Sequence, residues 1–261
     1  MNNIKYNLFP GGVSRCLTMS YDDGTVHDEQ LVDIFNRYGV KGTFHVNSHS
    51  VFDRHEDIAK LYAGHEVSVH MVNHPRPDRI PDMYVLQAIL EDKRALERAV
   101  GYVIRGMSFP YGRYSSQAVQ LAKACGMEYA RIGSPTDLSN LPEDFMRWCP
   151  TCHHNRGLNE NLERFLAPDH RPLLFYVCGH SYEFPRDNNW DLMEEFCKKV
   201  SDRRDDIWFA TNIQIVDYVN AMRGLRVSAD LDLFYNPSAT DVWFTFNDQP
   251  VCCKAGQSLS L

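Results

Sequence analysis

No stretch of this 261-residue chain stays apolar over the length needed to cross a bilayer, which excludes a helical membrane span. Basic charge is also scarce: 27 Lys and Arg stand against 34 Asp and Glu, a formal net charge of -7. That balance leaves no basic stripe with which to neutralise phosphates, so neither nucleic acid nor a membrane surface is an expected partner. Met1-Asn-Asn-Ile-Lys-Tyr-Asn-Leu-Phe-Pro10 lacks the cationic start, apolar run and small-residue cleavage site of a secretory signal. Read as it stands, the chain is expected to be cytoplasmic. Internal repeats and low-complexity segments are missing as well. The eight cysteines lie mostly inside apolar runs, without the regular loop-rich spacing of a disulfide framework, and read as reduced thiols in the core.

What the chain does have is a series of short apolar runs with helical patterns between them. Cys16–Tyr21, Gly42–Val46, Glu66–His70, Val103–Phe109, Glu128–Ile132, Leu173–Cys178 and Ile207–Thr211 make seven candidate buried strands. Leu31, Ile34, Phe35 and Tyr38 fall at i, i+3, i+4, i+7, and Leu86, Ile89, Leu90, Leu96 and Val100 repeat the pattern across 82–100. Strand–helix alternation on this scale implies a parallel α/β sheet, closed or nearly closed into a barrel. From about residue 224 the runs become short and alternating, separated by Asn-Pro, Asn-Asp and Ala-Gly. The chain therefore divides into a barrel over 1–223 and a small β appendage over 224–261, too short to bury a core alone and expected to pack on the barrel.

Polar residues gather at the predicted strand ends. Asp22 and Asp23 close the first strand ahead of Gly24, His70 closes the third and is followed by His74, and His180 lies just beyond the sixth. Asp-Asp-Gly alone is an ordinary turn, and two histidines four apart can be a solvated surface pair. Convergence from separate strands onto the loop face of a barrel favours function over packing. Two carboxylates and two imidazoles at this spacing can divide the work, one acid binding an ion while its neighbour stays free as a base.

These residues, taken in order, resemble the motifs of the polysaccharide deacetylases with the NodB homology domain, carbohydrate esterase family 4. Ser20-Tyr-Asp-Asp-Gly24 is similar to the family's first motif, His70-Met-Val-Asn-His74 to its second and Ser108-Phe-Pro-Tyr111 to its third. Tyr176-Val-Cys-Gly-His180 resembles the fifth only at the histidine and by position. The resemblance spans about residues 14–215 and implies a distorted (β/α)7 barrel. It implies further that Asp23, His70 and His74 hold one divalent metal ion, expected to be Zn²⁺, with Asp22 as general base on a bound water. Tyr111 would offer its backbone N–H to the oxyanion, and His180 would protonate the leaving group. The implied activity is removal of acetyl groups from an N- or O-acetylated sugar or oligosaccharide. An amidohydrolase acting on a small non-sugar amide, and a catalytically silent carbohydrate-binding protein, are the alternatives.

Three departures from the pattern define what a structure must explain. Ser108 stands where the family has an arginine that tethers the base, so Arg131, Arg113 or Arg105 must reach Asp22 from elsewhere, Arg131 being preferred for its place near the end of the fifth strand. Met71 replaces a hydroxyl residue in the metal loop, with Asn73 as a substitute. No Asp-x-x-Asp-Trp follows the third motif, leaving Asp137 and Asp187 as candidates to orient His180.

Cys149-Pro-Thr-Cys152-His153-His154 has the Cys-x-x-Cys-His pattern of covalent haem attachment. Haem is rejected because attachment requires an exported chain and an axial-ligand scaffold, and structural zinc because a second Cys-x-x-Cys is absent. Two packed thiols, with His153 or His154 lining the cleft, remain. His45, His49, His65 and His170 read as surface or satisfied core histidines. Trp190 is either a sugar-stacking wall or a structural residue opening the helix that carries Leu192, Met193, Phe196 and Val200.

Overall fold

A computed structural model describes residues 2–52, 57–138, 141–169 and 171–261, so His170 lies outside the described residues. Its main sheet is parallel. In space the strands run Tyr129–Arg131, Gly106–Ser108, Glu66–Val69, Gly42–Val46, Arg15–Asp22, Leu173–His180 and Cys152–His153. Arg15–Asp22 is the central strand, and all but its first residue are buried, as a parallel strand covered on both faces requires. One edge of it pairs with Leu173–His180 along its whole length. The other pairs with Ile207–Phe209 at its start and with Gly42–His45 further along.

The sheet's two outer strands are linked by the segment 148–154. Trp148 bridges Arg131 through bonds from Trp148 N to Ala130 O (3.0 Å) and from Ile132 N to Trp148 O (2.9 Å). A few residues later Cys152–His153 pairs with Val177–Cys178, and His154 N bonds Cys178 O at 2.9 Å. This short strand is not among the seven that the sequence predicts, because two residues carry no periodicity. It closes the circuit, and with it the distorted (β/α)7 architecture.

Strand parity sorts the side chains. Leu17, Met19 and Tyr21 join the large hydrophobic cluster under the helices Asp28–Tyr38, Asp82–Val100 and Trp190–Ser201. Thr18, Ser20 and Asp22 point the opposite way, since successive strand side chains alternate between faces. The lumen they enter is polar: Thr18 Oγ1 bonds Asn212 (2.8 Å), Thr43 Oγ1 bonds Glu66 (3.0 Å), His45 Nδ1 meets Ser68 Oγ (2.9 Å), and Tyr129 Oη donates to Glu66 (2.7 Å).

Of the seven predicted strands only Gly42–Val46 keeps both its ends, and two of the shifts have a clear reason. Val103 is exposed and precedes the strand, which starts at Gly106. Thr211 ends no strand but caps the helix Asn212–Arg223 in a capping box with Gln214, a stronger local preference than extension. Towards the C-terminus, Arg226–Val227, Leu233–Tyr235 and Ser258–Ser260 form one three-stranded antiparallel sheet. Ile4–Lys5, Val242–Phe246 and Gln249–Cys253 form another, so the N-terminus contributes to it. Tyr218 Oη, on the last barrel helix, donates to Leu8 O (2.7 Å) and accepts from Trp243 N (3.1 Å), fastening that sheet to the barrel. No helix among the described residues is long and apolar enough to cross a membrane.

Candidate active site

The strand ends converge on a cleft of about 910 Å³ lined by Asp22, Asp23, His70, His74, Tyr111 and His180. Asp22 is the last residue of its strand and stays in the lumen, whereas Asp23 takes φ +78° and turns its carboxylate over the rim. The step from one backbone region to the other is what separates two adjacent acids into different environments.

Asp23 Oδ1 lies 3.5 Å from His70 Nε2 and 3.7 Å from His74 Nε2. Two donors that far apart can share one tetrahedral centre about 2.1–2.3 Å from each, close to the bond lengths of zinc to imidazole and carboxylate. His70 Nε2 is buried and has no hydrogen-bond partner, an arrangement costly for a neutral ring and natural for a ligand atom. The ring's other nitrogen is fixed by Ser108, whose Oγ lies 2.6 Å and carbonyl O 3.2 Å away. The donor set thus fits a divalent ion with an open position toward the cleft.

The loop from His70 to His74 is strained and well supported. Met71, Asn73 and His74 all have positive φ, uncommon for residues with a Cβ. Buried Asp92 holds the loop's start, accepting from His70 N (3.0 Å) and Ser48 N (2.7 Å), and Asn47 Nδ2 donates to Met71 O (3.1 Å). Asn73 is exposed, so the support expected from it comes from Asn47, and Met71 packs in the core. Nothing in the sequence marked Asp92, a polar position in an amphipathic helix, or Asn47.

Asp22 is buried and accepts from Ser108 Oγ (3.2 Å) and from Arg131 Nη2. Burial alone would raise its pKa, but the Arg131 guanidinium, with His70, His45 and His180, holds the carboxyl well below the usual range. Arg105 does not reach it, being paired with Glu128 and Asp217. Arg131 therefore takes the place of the motif arginine, entering from the neighbouring strand because Ser108 and Arg131 are register partners.

Tyr111 sits in the turn Pro110–Gly112 at φ +60°, ψ +10°. The turn's backbone bonds run from Gly112 N to Phe109 O and from Arg113 N to Pro110 O, and Tyr111 N makes neither. Gly112 is required here: a Cβ on it would lie 2.4 Å from Gly133 Cα. The Tyr111 ring is exposed and meets the His74 ring edge-on at 4.5 Å between centroids.

His180 ends its strand, with Nε2 3.9 Å from Asp23 Oδ2. Its Nδ1 and its backbone N lie 3.3 and 3.0 Å from Glu183 Oε2. Burial works against its charge, yet the bond to Glu183 and the fields of Asp22 and Asp23 raise its pKa. The acids expected to orient it are elsewhere: Asp137 pairs with Arg164 and Asp187 with Arg186. The carboxylate beside it is that of Glu183, only three residues on, where the chain turns into the helix Glu183–Asp187 soon after the strand. Trp190 does not line the cleft. Its ring packs on Phe184 at 4.7 Å, against the main core, and the aromatics facing the cleft are Tyr111 and Tyr182.

All eight cysteines are free. Cys152 and Cys178 line the cleft, but burial pushes their thiols up to about 12 and about 11, so they stay protonated at neutral pH. His153 lines the cleft too, whereas His154 is buried between the rings of Tyr21 (5.6 Å) and Phe184 (4.4 Å).

The parallel half-barrel matches the distorted (β/α)7 fold of NodB type. Residues 12–130, a little under half of the chain, match the family model described as polysaccharide deacetylase. Among curated proteins, the chain is 27% identical over 118 residues to a chitooligosaccharide deacetylase of Bradyrhizobium sp. (strain ANU 289), covering 44% of this chain and 54% of the relative. It is 25% identical over 137 residues to a chitin deacetylase of Pestalotiopsis sp., covering 51% and 45%. The chain spans about half the length of these curated relatives. Among solved structures, the peptidoglycan deacetylase PdaC of Bacillus subtilis aligns with TM-score 0.57 and 21% identity over 82% of this chain and 95% of that one. A family 4 pseudoenzyme from Bacillus anthracis aligns with TM-score 0.54 and 14% identity over 77% and 65%. These structures share the fold.

Proposed function

We propose that the protein is a metal-dependent deacetylase that removes an acetyl group from an N- or O-acetylated sugar or oligosaccharide, with residues 1–223 as the catalytic unit and 224–261 as an appendage packed on it. The observation that carries this reading is the split of two adjacent carboxylates: Asp23 at the rim with His70 and His74, and Asp22 in the lumen on Arg131. Asp23, His70 and His74 would hold one divalent ion, expected to be Zn²⁺, which when bound lowers the pKa of water and polarises a carbonyl. Asp22, kept ionised by Arg131, would take the proton of the attacking water. The Tyr111 N–H would donate to the oxygen of the acetyl carbonyl as negative charge develops there. His180, whose Nε2 faces Asp23, would give its proton to the departing amine or alkoxide. Tyr111 and Tyr182 offer ring faces on which a sugar can stack.

The test is metal analysis of the purified chain coupled to acetate release from a panel of acetylated sugars, with and without chelator. About one tightly held ion per chain and chelator-sensitive acetate release are expected. Product other than acetate would favour an amidohydrolase on a small non-sugar amide, and absence of both ion and turnover a silent carbohydrate-binding protein.

A further inference from the structure

The motif Cys149–His154 has no part in the chemistry above, yet it delivers two histidines to a single carboxylate. Glu183 is almost wholly buried, and its Oε2 is crowded: His180 N lies at 3.0 Å, His153 Nε2 at 3.1 Å, His180 Nδ1 at 3.3 Å and His154 Nε2 at 3.5 Å. Its other oxygen lies 3.5 Å from Arg186.

The spacing of His153, His154 and Glu183 alone would also admit a cation. The hydrogen bonding argues otherwise. Asn155 N donates to His153 Nδ1 at 3.2 Å, so that nitrogen is an acceptor and the proton of the neutral ring sits on Nε2, aimed at Glu183. A ring ligating a metal through Nε2 needs the opposite tautomer. His153 is therefore a donor to the carboxylate.

The donor's placement is well determined. His153 lies in the strand that closes the barrel, paired with Cys178 two residues before His180. His154, next to it, fills the space that Gly179 leaves: a Cβ on Gly179 would lie 1.9 Å from His154 Nδ1.

We propose that Glu183 is the positioning residue of His180 and that His153 locks the Glu183 carboxylate in place, so that one oxygen joins His153 and His180. The role rests on the deacetylase reading above. With Nδ1–H held by Glu183, His180 presents Nε2 to the cleft, and the carboxylate stabilises the imidazolium from which the leaving group takes its proton. The arrangement supplies the orienting acid that the sequence lacks after its third motif.

The test compares two substrates on the metal-loaded full chain: an N-acetylated amino sugar, whose amine must be protonated to leave, and 4-nitrophenyl acetate, whose phenolate leaves without help. Glu183→Gln is expected to lower kcat on the amino sugar about 10–100-fold, with KM changed less than about twofold, and to have a far smaller effect on the aryl ester. His180→Asn should show the same substrate dependence, and the double variant should be no slower than His180→Asn alone. His153→Asn, which leaves Glu183 intact, should show the same pattern more weakly and carries the test should Glu183→Gln fail to fold. Equal losses on both substrates, additive losses, or a second ion per chain that disappears in His153→Asn would overturn the proposal. Active wild type with equal losses overturns it alone. A wild type inert toward both substrates overturns the deacetylase reading and this role with it.

Discussion

Arg131 and Asp22 form an ion pair inside the barrel, both side chains under a tenth exposed and 109 residues apart in the chain. Removing one member of such a pair leaves an uncompensated buried charge, which costs about 3–5 kcal/mol. Arg131→Met is therefore expected to lower stability by that order in denaturant unfolding and, by raising the Asp22 pKa, to lower kcat by about 10²-fold or more at neutral pH. Arg131→Lys should recover only part of this, because a point charge on a flexible stem does not reproduce the guanidinium's geometry. Wild-type stability and turnover in Arg131→Met would refute the role.

The two neighbouring acids should separate on mutation. Asp22→Asn is expected to abolish turnover while the purified protein keeps its ion, whereas Asp23→Ala and His70→Ala should lose the ion as well. Elemental analysis beside acetate release distinguishes them, and full activity in Asp22→Asn would sink the assignment of the base.

Asp92 touches no donor of the metal cluster, yet it holds the backbone of His70 and Ser48 from inside the helix Asp82–Val100. Asp92→Ala leaves Ser48 N unpaired and His70 N with only its bond to Val46 O (3.2 Å), and metal affinity is expected to fall about 10–100-fold, as for other supporting contacts. Competition with a chelator of known affinity measures the change. An unaltered affinity would show that the loop's own strained turns suffice.

Glu66 lies deeper in the lumen, and burial pushes its carboxyl up from 4.5 to about 7 against the pull of bonds from Ile213 N, Tyr129 and Thr43. Between those values the folded chain holds a proton that the unfolded chain has released. Stability from this group is thus complete below about pH 4.5 and is lost as pH rises toward 7. Glu66→Gln keeps the shape without the titration, so its unfolding free energy should depend less on pH across that window, by on the order of a few kcal/mol. Parallel pH profiles for the two proteins would show that Glu66 contributes nothing to the pH dependence, and a wild type that gains stability over this window relative to Glu66→Gln would show the opposite sign.

Much of the fold was legible because its signals are local. Buried parallel strands must be apolar runs, and Cys16–Tyr21 or Leu173–Cys178 can hardly read otherwise. That Asp22, Asp23, His70 and His74 come together was legible from chain spacing and strand ends, whereas the choice of Asp23 over Asp22 as the partner of the two histidines came from the family resemblance. Arg131 was a weak preference among three arginines, since no local pattern says which guanidinium crosses a lumen. Glu183 was missed although only three residues from His180, because an acid opening a helix already has an ordinary explanation in the helix dipole. The strand Cys152–His153 was invisible for want of length.

By itself the sequence determined the alternation of strands and helices and a set of side chains able to bind an ion and move a proton. Tertiary structure alone decided which charges meet: Arg131 with Asp22, Glu183 with His153 and His180, Asp92 with the backbone of His70. The reason is physical. Periodicity and turn chemistry act over a few residues, whereas a hydrogen bond between strand ends depends on the register and closure of the whole sheet, which no local stretch encodes.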